Sequence, residues 1–204
     1  MAVVGQTSAM SCGAACLLCA AIELQSVPAV PAGAVNNPLS ILIASGTALA
    51  ISNAWLAAIY GVSGAGEAGY SLPSGILEAA RYLGMTASVI MAQTKTVSFL
   101  QKAYPHEVAR CLPSTIPVAS PNLGDLTLTQ TQRALHCVRI GPTHAVHWVM
   151  QRPDNSYMDP AGGTVQLNIA QGGGDRADRA TLKSTGQSAF SYHGTGLAVK
   201  VQYP

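Results

Sequence analysis

The sequence predicts an α+β domain, and three observations carry that expectation. Helical patterns fill the first half of the chain, and short β-rich runs bounded by Gly, Pro, Asn and Asp fill the second. No linker divides the 204 residues. We therefore expect a single domain over residues 1–204, mainly helical over 1–113 and mainly β over 114–204, with the helices packed on a C-terminal antiparallel sheet. A chain of this size buries roughly 70% of its unfolded surface. With 49% hydrophobic residues and few aromatics, its core is expected to use small side chains and close helix packing.

The first helix is expected over residues 11–24, with Ser11 as N-cap and Pro28, Pro31 and Gly33 ending it. Short helices are expected near 39–44 and 53–60, then a glycine-rich loop over 61–69. Ser71-Leu72-Pro73 opens a clearer helix, with Ile76, Leu77, Ala80 and Leu83 on one face and Gly84 closing it. A strand follows over 85–92, one or two helices broken at Pro105 over 95–112, and a strand over 116–119. Later strands are expected over 137–140, 145–151, 156–158, 165–169 and 197–202, with an excursion over 171–185 that contains Gly172-Gly173-Gly174. There is no internal repeat.

Charge excludes one class of function. Only 10% of residues are charged, the formal net charge is +2, and Lys95, Lys102, Lys183 and Lys200 form no cluster, so a nucleic-acid partner is not expected. Five cysteines, three of them within eight residues, make a poor disulfide framework and fit a reducing compartment or a free reactive thiol. The apolar stretch 9–22 lacks the basic leader of a signal peptide, and no uninterrupted apolar run reaches the ~20 residues of a membrane span. The sequence thus reads as soluble, resident in a bacterial cytoplasm or translocated into a target cell.

Chemistry is concentrated at Cys12. In Gln6-Thr7-Ser8-Ala9-Met10-Ser11-Cys12-Gly13 a polar entry runs into an apolar helix, and a thiol at a helix N-terminus is favoured as the thiolate nucleophile. Gly13 leaves room for a substrate carbonyl, and Gln6 supplies a side-chain donor that can face an oxyanion together with the Cys12 N–H. A base and its orienter lie far downstream, in His147-Trp148-Val149 and Asp159-Pro160. A hairpin folded at Pro153-Asp154 sets His147 directly across from Asp159, about 5 Å apart at Cβ. A slip of one residue would turn one partner away. His144 is the rival base, but it faces away from His147 along a strand and has no acidic partner. Trp148 either shields the Cys–His pair or packs. Cys111 and Cys137 are expected to be buried, and His106, His136 and His193 to be surface or loop residues.

Glutamine, a Cys-Gly-x-Ala helix, His followed by hydrophobic residues and Asp-Pro, in that order, resemble the papain-like cysteine peptidases and within them the bacteriocin-processing, ABC-transporter-associated type. The helix end Arg81-Tyr82-Leu83-Gly84-Met85 and Ile116-Pro117-Val118 are also similar to that group. Ser11 stands where the group has an acidic residue, and 165–204 has no counterpart there. The resemblance implies a papain-like fold and a thiol hydrolase: Cys12 as nucleophile, His147 as base and acid, Asp159 as orienter, Gln6 as oxyanion donor, and no metal or organic cofactor. The substrate is then a protein or peptide, and the first expectation is a cysteine protease acting as a bacterial effector or toxin, with a neutralising or host target protein as partner. The same machinery serves a glutamine deamidase, a peptidoglycan amidase or a transglutaminase. A peptide-binding module without catalysis would show a missing member of the set, and none is missing. Cys12, Cys16 and Cys19 also spell the spacing of radical S-adenosylmethionine [4Fe–4S] enzymes, but the Gly-Ala-Ala and Leu-Leu spacers favour a buried helix with Cys16 and Cys19 in the core.

Overall fold

The computed structural model describes Gln6 and residues 10–24, 59–62, 70–118, 126–140, 145–161 and 192–204. Helix α1 (Cys12–Glu23) is built from small apolar residues, and Cys12 through Ala21 are all buried. Residues 59–62 are helical. The expected helix at 39–44, the expected strand at 165–169, the excursion at 171–185 and His144 lie outside the described residues.

Helix α2 (Pro73–Tyr82) has capping at both ends that the sequence only half announces. Pro73 opens it, and the Glu107 carboxylate accepts from both the backbone N–H and the hydroxyl of Ser74, placing negative charge at the helix N-terminus. At the other end Gly84 takes φ +73°, and Met85 N–H donates to Ala80 O at 3.0 Å, the left-handed closure that glycine permits. Helices α3 (Lys95–Ala103) and α4 (Pro105–Cys111) divide at Pro105, and the Thr94 hydroxyl caps α3 by accepting from Val97 N–H. Of the one or two helices expected over 95–112, the structure has two, broken at Pro105 as expected.

The sheet has six strands: β1 (Thr86–Ala92), β2 (Thr115–Val118), β3 (Gln132–Ile140), β4 (Ala145–Gln151), β5 (Tyr157–Met158) and β6 (Tyr192–Gln202), ordered β2-β1-β6-β3-β4-β5. The α+β class holds, but the sheet is not purely antiparallel, because β1 and β2 run parallel. The strand expected within the mainly helical first half is present as β1. Strand β1 belongs to the first half yet pairs with the last strand, β6, from Thr86↔Gln202 to Met91↔Leu197. Strand β3 starts at Gln132 and β6 at Tyr192, both five residues ahead of their sequence-predicted starts. Where β3 and β6 pair, the register shifts between Cys137 and Val138. Gly196 sits in that bulge at φ +86°, with a would-be Cβ only 2.6 Å from Thr94 Cγ2, so the bend requires glycine.

Helix α1 lies against β4, and its residues Ala14 to Ala21 share one core with Ile76, Leu135, Trp148, Met150 and Met158. This contact brings the head of α1 to the strand that carries His147. No helix among the described residues is long and apolar enough to cross a membrane.

Candidate active site

Cys12 is the first residue of α1, with Ser11 in the N-cap position and Ser11 O accepting the first helical bond from Ala15 N–H at 2.9 Å. The Ser11 hydroxyl itself does not cap the helix. Cys12 is 1% exposed, and His147 and Asp159 are each 4% exposed, so the three groups meet in a water-poor setting where electrostatic interactions are strong.

His147 and Asp159 meet by a different register from the expected one. The turn closes between Arg152 and Ser156, with Arg152 N–H donating to Ser156 O at 2.9 Å and Asn155 in the left-handed region at φ 61°. The loop is therefore three residues long, 153–155, which suits a turn followed by one left-handed residue. Met150 pairs with Met158 and Gln151 with Tyr157, which sets Asp159 level with Val149 rather than with His147. The shift is by two residues, so both side chains stay on one face as diagonal neighbours. His147 Nε2 and Asp159 Oδ1 are 2.7 Å apart. Asp159 Oδ1 also accepts from Ala161 N–H at 2.9 Å, which fixes the carboxylate.

The imidazole also hydrogen-bonds Cys12. With Nε2 engaged by Asp159, Nδ1 is the nitrogen left for the sulfur. Burial acts to lower the His147 pKa, but the hydrogen bonds to Asp159 and Cys12 outweigh it and raise the group to about 9. The other four thiols are driven the opposite way from a reactive one. Burial raises Cys16 well above the ordinary thiol value and pushes Cys19, Cys111 and Cys137 up to about 12. All five cysteines are free and buried, so the partner imidazole is what sets Cys12 apart.

Gln6 reaches the same place along a different route. Its backbone N–H donates to Pro160 O at 3.0 Å, laying the segment before α1 beside the Asp159-Pro160 step. Its amide Oε1 is buried without a hydrogen-bond partner. Buried polar atoms without partners are rare in folded proteins. The structure thus brings Cys12, His147 and Asp159 together and lays the Gln6 backbone against Pro160, the residue after Asp159.

Gly13 has a stronger reason for being glycine than access for a carbonyl. A Cβ there would lie 2.4 Å from Ser71 Cβ, 2.8 Å from Ser71 Oγ and 3.1 Å from Trp148 Cδ1. Trp148 packs rather than merely shielding: its indole N–H donates to Ser71 O at 2.9 Å, and its own carbonyl accepts from the Cys16 thiol at 3.3 Å. Ser71 and Trp148 thus wall the head of α1, and beyond them lies a mainly apolar cavity of about 360 Å³ bordered by Leu72, Met91, Leu100 and Val146. Gly13→Ala is expected to destabilise the fold by about 1–3 kcal/mol through overpacking, despite alanine's better helix propensity, and to lower activity because the collision falls one residue from the sulfur. Urea unfolding alongside activity measurement checks this.

Ser71 gave no signal in the sequence, because its part comes from a carbonyl and a close approach that only the fold creates. His136 corrects an expectation: it is 4% exposed, and its Nε2 lies 2.7 Å from Gln151 Oε1, inside the sheet rather than on a surface. Burial lowers its pKa to about 4 despite that bond. His106 is exposed, and Cys111 and Cys137 are buried, as the sequence leads one to expect. Among the described residues no group of three or more His, Cys, Asp or Glu side chains could hold a metal ion. Cys16 and Cys19 are core residues of a helix, as the spacers between them indicate.

The two buried histidines make opposite predictions for stability against pH. His147, raised in the fold, contributes stability that is full below its unfolded value near 6.5 and is lost as pH rises through about 9. His136, lowered in the fold, stays neutral while the unfolded chain takes up a proton, so stability falls as pH drops from 6.5 towards about 4. Unfolding free energy is therefore expected to peak near pH 6.5, which denaturant titrations across the range would check.

Comparison with known proteins points to a family of cysteine proteases. The family model described as Invasion plasmid antigen J, cysteine protease, matches residues 5–204. The chain is 34% identical over 167 residues to Cysteine protease IpaJ of Shigella flexneri, an alignment covering 75% of this chain and 62% of that protein. The chain thus spans less than two thirds of the relative's length. No solved structure matches.

Proposed function

We propose, on the premise that the chain belongs to the IpaJ family of cysteine proteases, that it cleaves an amide bond in a protein substrate through Cys12, His147, Asp159 and Gln6. One observation carries the reading. A single imidazole, that of His147, bonds Asp159 through Nε2 at 2.7 Å and hydrogen-bonds Cys12 at the head of α1. A cysteine at a helix head facing a histidine on β4 and an aspartate just after β5 also supports the papain-like expectation within this family.

The chemistry follows from the roles. Cys12 gives its proton to His147, and the sulfur attacks the carbonyl carbon of the scissile amide. Negative charge gathers on the carbonyl oxygen, and the Cys12 N–H and the Gln6 amide N–H are the donors assigned to stabilise it. A donor in this role contributes about 10²–10³ in rate. The tetrahedral intermediate collapses as His147 protonates the departing amine, leaving a thioester on Cys12. Water then attacks that thioester, with His147 taking its proton, and the acid product leaves with the thiol restored. Asp159 holds the ring in one orientation and stabilises its charged form throughout.

The name invasion plasmid antigen is that of the family model, and a role for this chain as an effector acting on proteins of another cell is carried over as part of the proposal. The test is mass spectrometry of a cell lysate treated with wild type or with Cys12→Ala. New peptide termini made only by the wild type support a protease. A glutamine converted to glutamate, a severed cell-wall stem peptide or a new cross-link, with no new termini, would replace it by a deamidase, an amidase or a transglutaminase.

A further inference from the structure

Helix α1 presents a problem of registration. Ten consecutive residues, Cys12 to Ala21, are buried, and nearly all carry small apolar side chains. Hydrophobic burial accounts for α1 lying on the sheet, and the close approach of Gly13 to Ser71 and Trp148 and the Cys16 thiol on Trp148 O hold its head, but apolar contacts alone fix the rotation and slide of its far end poorly. A thiol at its head must nevertheless meet one imidazole nitrogen.

The only charged residue of α1 is its last, Glu23. Its carboxylate is divided between two arginines: Oε2 accepts from Arg133 Nε at 2.8 Å and Oε1 from Arg152 Nε at 2.8 Å. All three side chains are at most 10% exposed. Arg133 belongs to β3, and its Nη1 is held in turn by Gln130 O at 3.0 Å. Arg152 directly follows β4, the strand of His147, and opens the turn that leads to Asp159. Two oxygens on two fixed donors determine both rotation and slide of the helix end. Twelve hydrogen-bonded residues transmit that setting as a rod of about 18 Å.

We propose that Glu23, clamped between Arg133 and Arg152, is a positioning residue that sets the register of α1 and so holds the Cys12 sulfur against His147. The proposal rests on the reading of Cys12 and His147 as the reacting pair. Buried ion pairs often add little net stability over apolar replacements of similar volume, and a role in specifying one arrangement is their best-attested use. The clamp is therefore separable from folding.

The test compares the full wild-type chain with the triple variant Glu23→Leu/Arg133→Met/Arg152→Met and with Glu23→Gln, which keeps the volume of the side chain. Thermal melts report folding, and the rate of Cys12 alkylation by iodoacetamide is followed from mildly acidic to mildly alkaline pH. The clamp predicts a triple variant that melts cooperatively yet loses about 10²-fold of the wild-type alkylation rate at mildly acidic pH, the scale of a misplacement near 1 Å. It also predicts a fall in kcat with KM little changed. Should the triple variant not fold, Glu23→Gln decides by the same readout. Either variant, folded and alkylated as fast as wild type at mildly acidic pH, would overturn the clamp alone. A wild type without fast alkylation there overturns the Cys12–His147 pairing, and the clamp with it.

Discussion

Cys12→Ala abolishes turnover: a loss of about 10⁶ in kcat is expected, the scale seen when a nucleophile is removed from a cooperating set. None of the other four cysteines can take over. Burial raises Cys16 well above an ordinary thiol and pushes Cys19, Cys111 and Cys137 to about 12, so each stays protonated at neutral pH. Cys16 is the nearest in sequence, one helical turn on, but its thiol is committed to Trp148 O. The substitution removes one sulfur next to Ala14 and Ala15 and is expected to leave the fold intact, because no packing depends on a large side chain there. The check is a progress curve with a protein substrate beside a thermal melt. A folded variant retaining a tenth of wild-type activity would assign the chemistry elsewhere.

Asp159→Asn is the second large effect, a fall of about 10⁴ in kcat with little change in fold. Asparagine keeps the volume, and its amide oxygen can still accept from Ala161 N–H. What it loses is the charge that stabilises the imidazolium. The hydrogen bond from Asp159 is the largest of the effects raising His147 to about 9, so its weakening leaves burial to pull the ring down. At neutral pH the variant's imidazole is then neutral, and the sulfur loses its cationic partner. Activity against pH reads this directly, because the alkaline limb should move to lower pH in the variant.

How much of this was legible beforehand differs by element. The α+β class and helices α1 to α4 were readable because periodicity, Pro73, Gly84 and Pro105 act locally. The parallel β1–β2 pair and the insertion of β6 between β1 and β3 were not, since strand order is a long-range property with no local mark. The hairpin shows both sides of this. Its turn chemistry identified the pairing of His147 with Asp159, but the loop took three residues because Asn155 tolerates a left-handed conformation. A displacement by two preserved the contact that a displacement by one would have destroyed. The residues proposed for the site stood out in the sequence because reactive side chains are chemically distinctive. The supports were not: Ser71 works through a carbonyl, and Glu107 meets Ser74 across 33 residues. Glu23 offered one faint clue, as the lone charge in an apolar helix.

The most direct measurement is the titration of the His147 ring by nuclear magnetic resonance in the intact chain, with Cys12→Ala alongside. A buried imidazole held between the Cys12 sulfur and the Asp159 carboxylate should titrate with a midpoint near 9 in the wild type and at lower pH once the sulfur is gone. A wild-type midpoint at or below 6.5, unchanged in Cys12→Ala, would contradict the pairing.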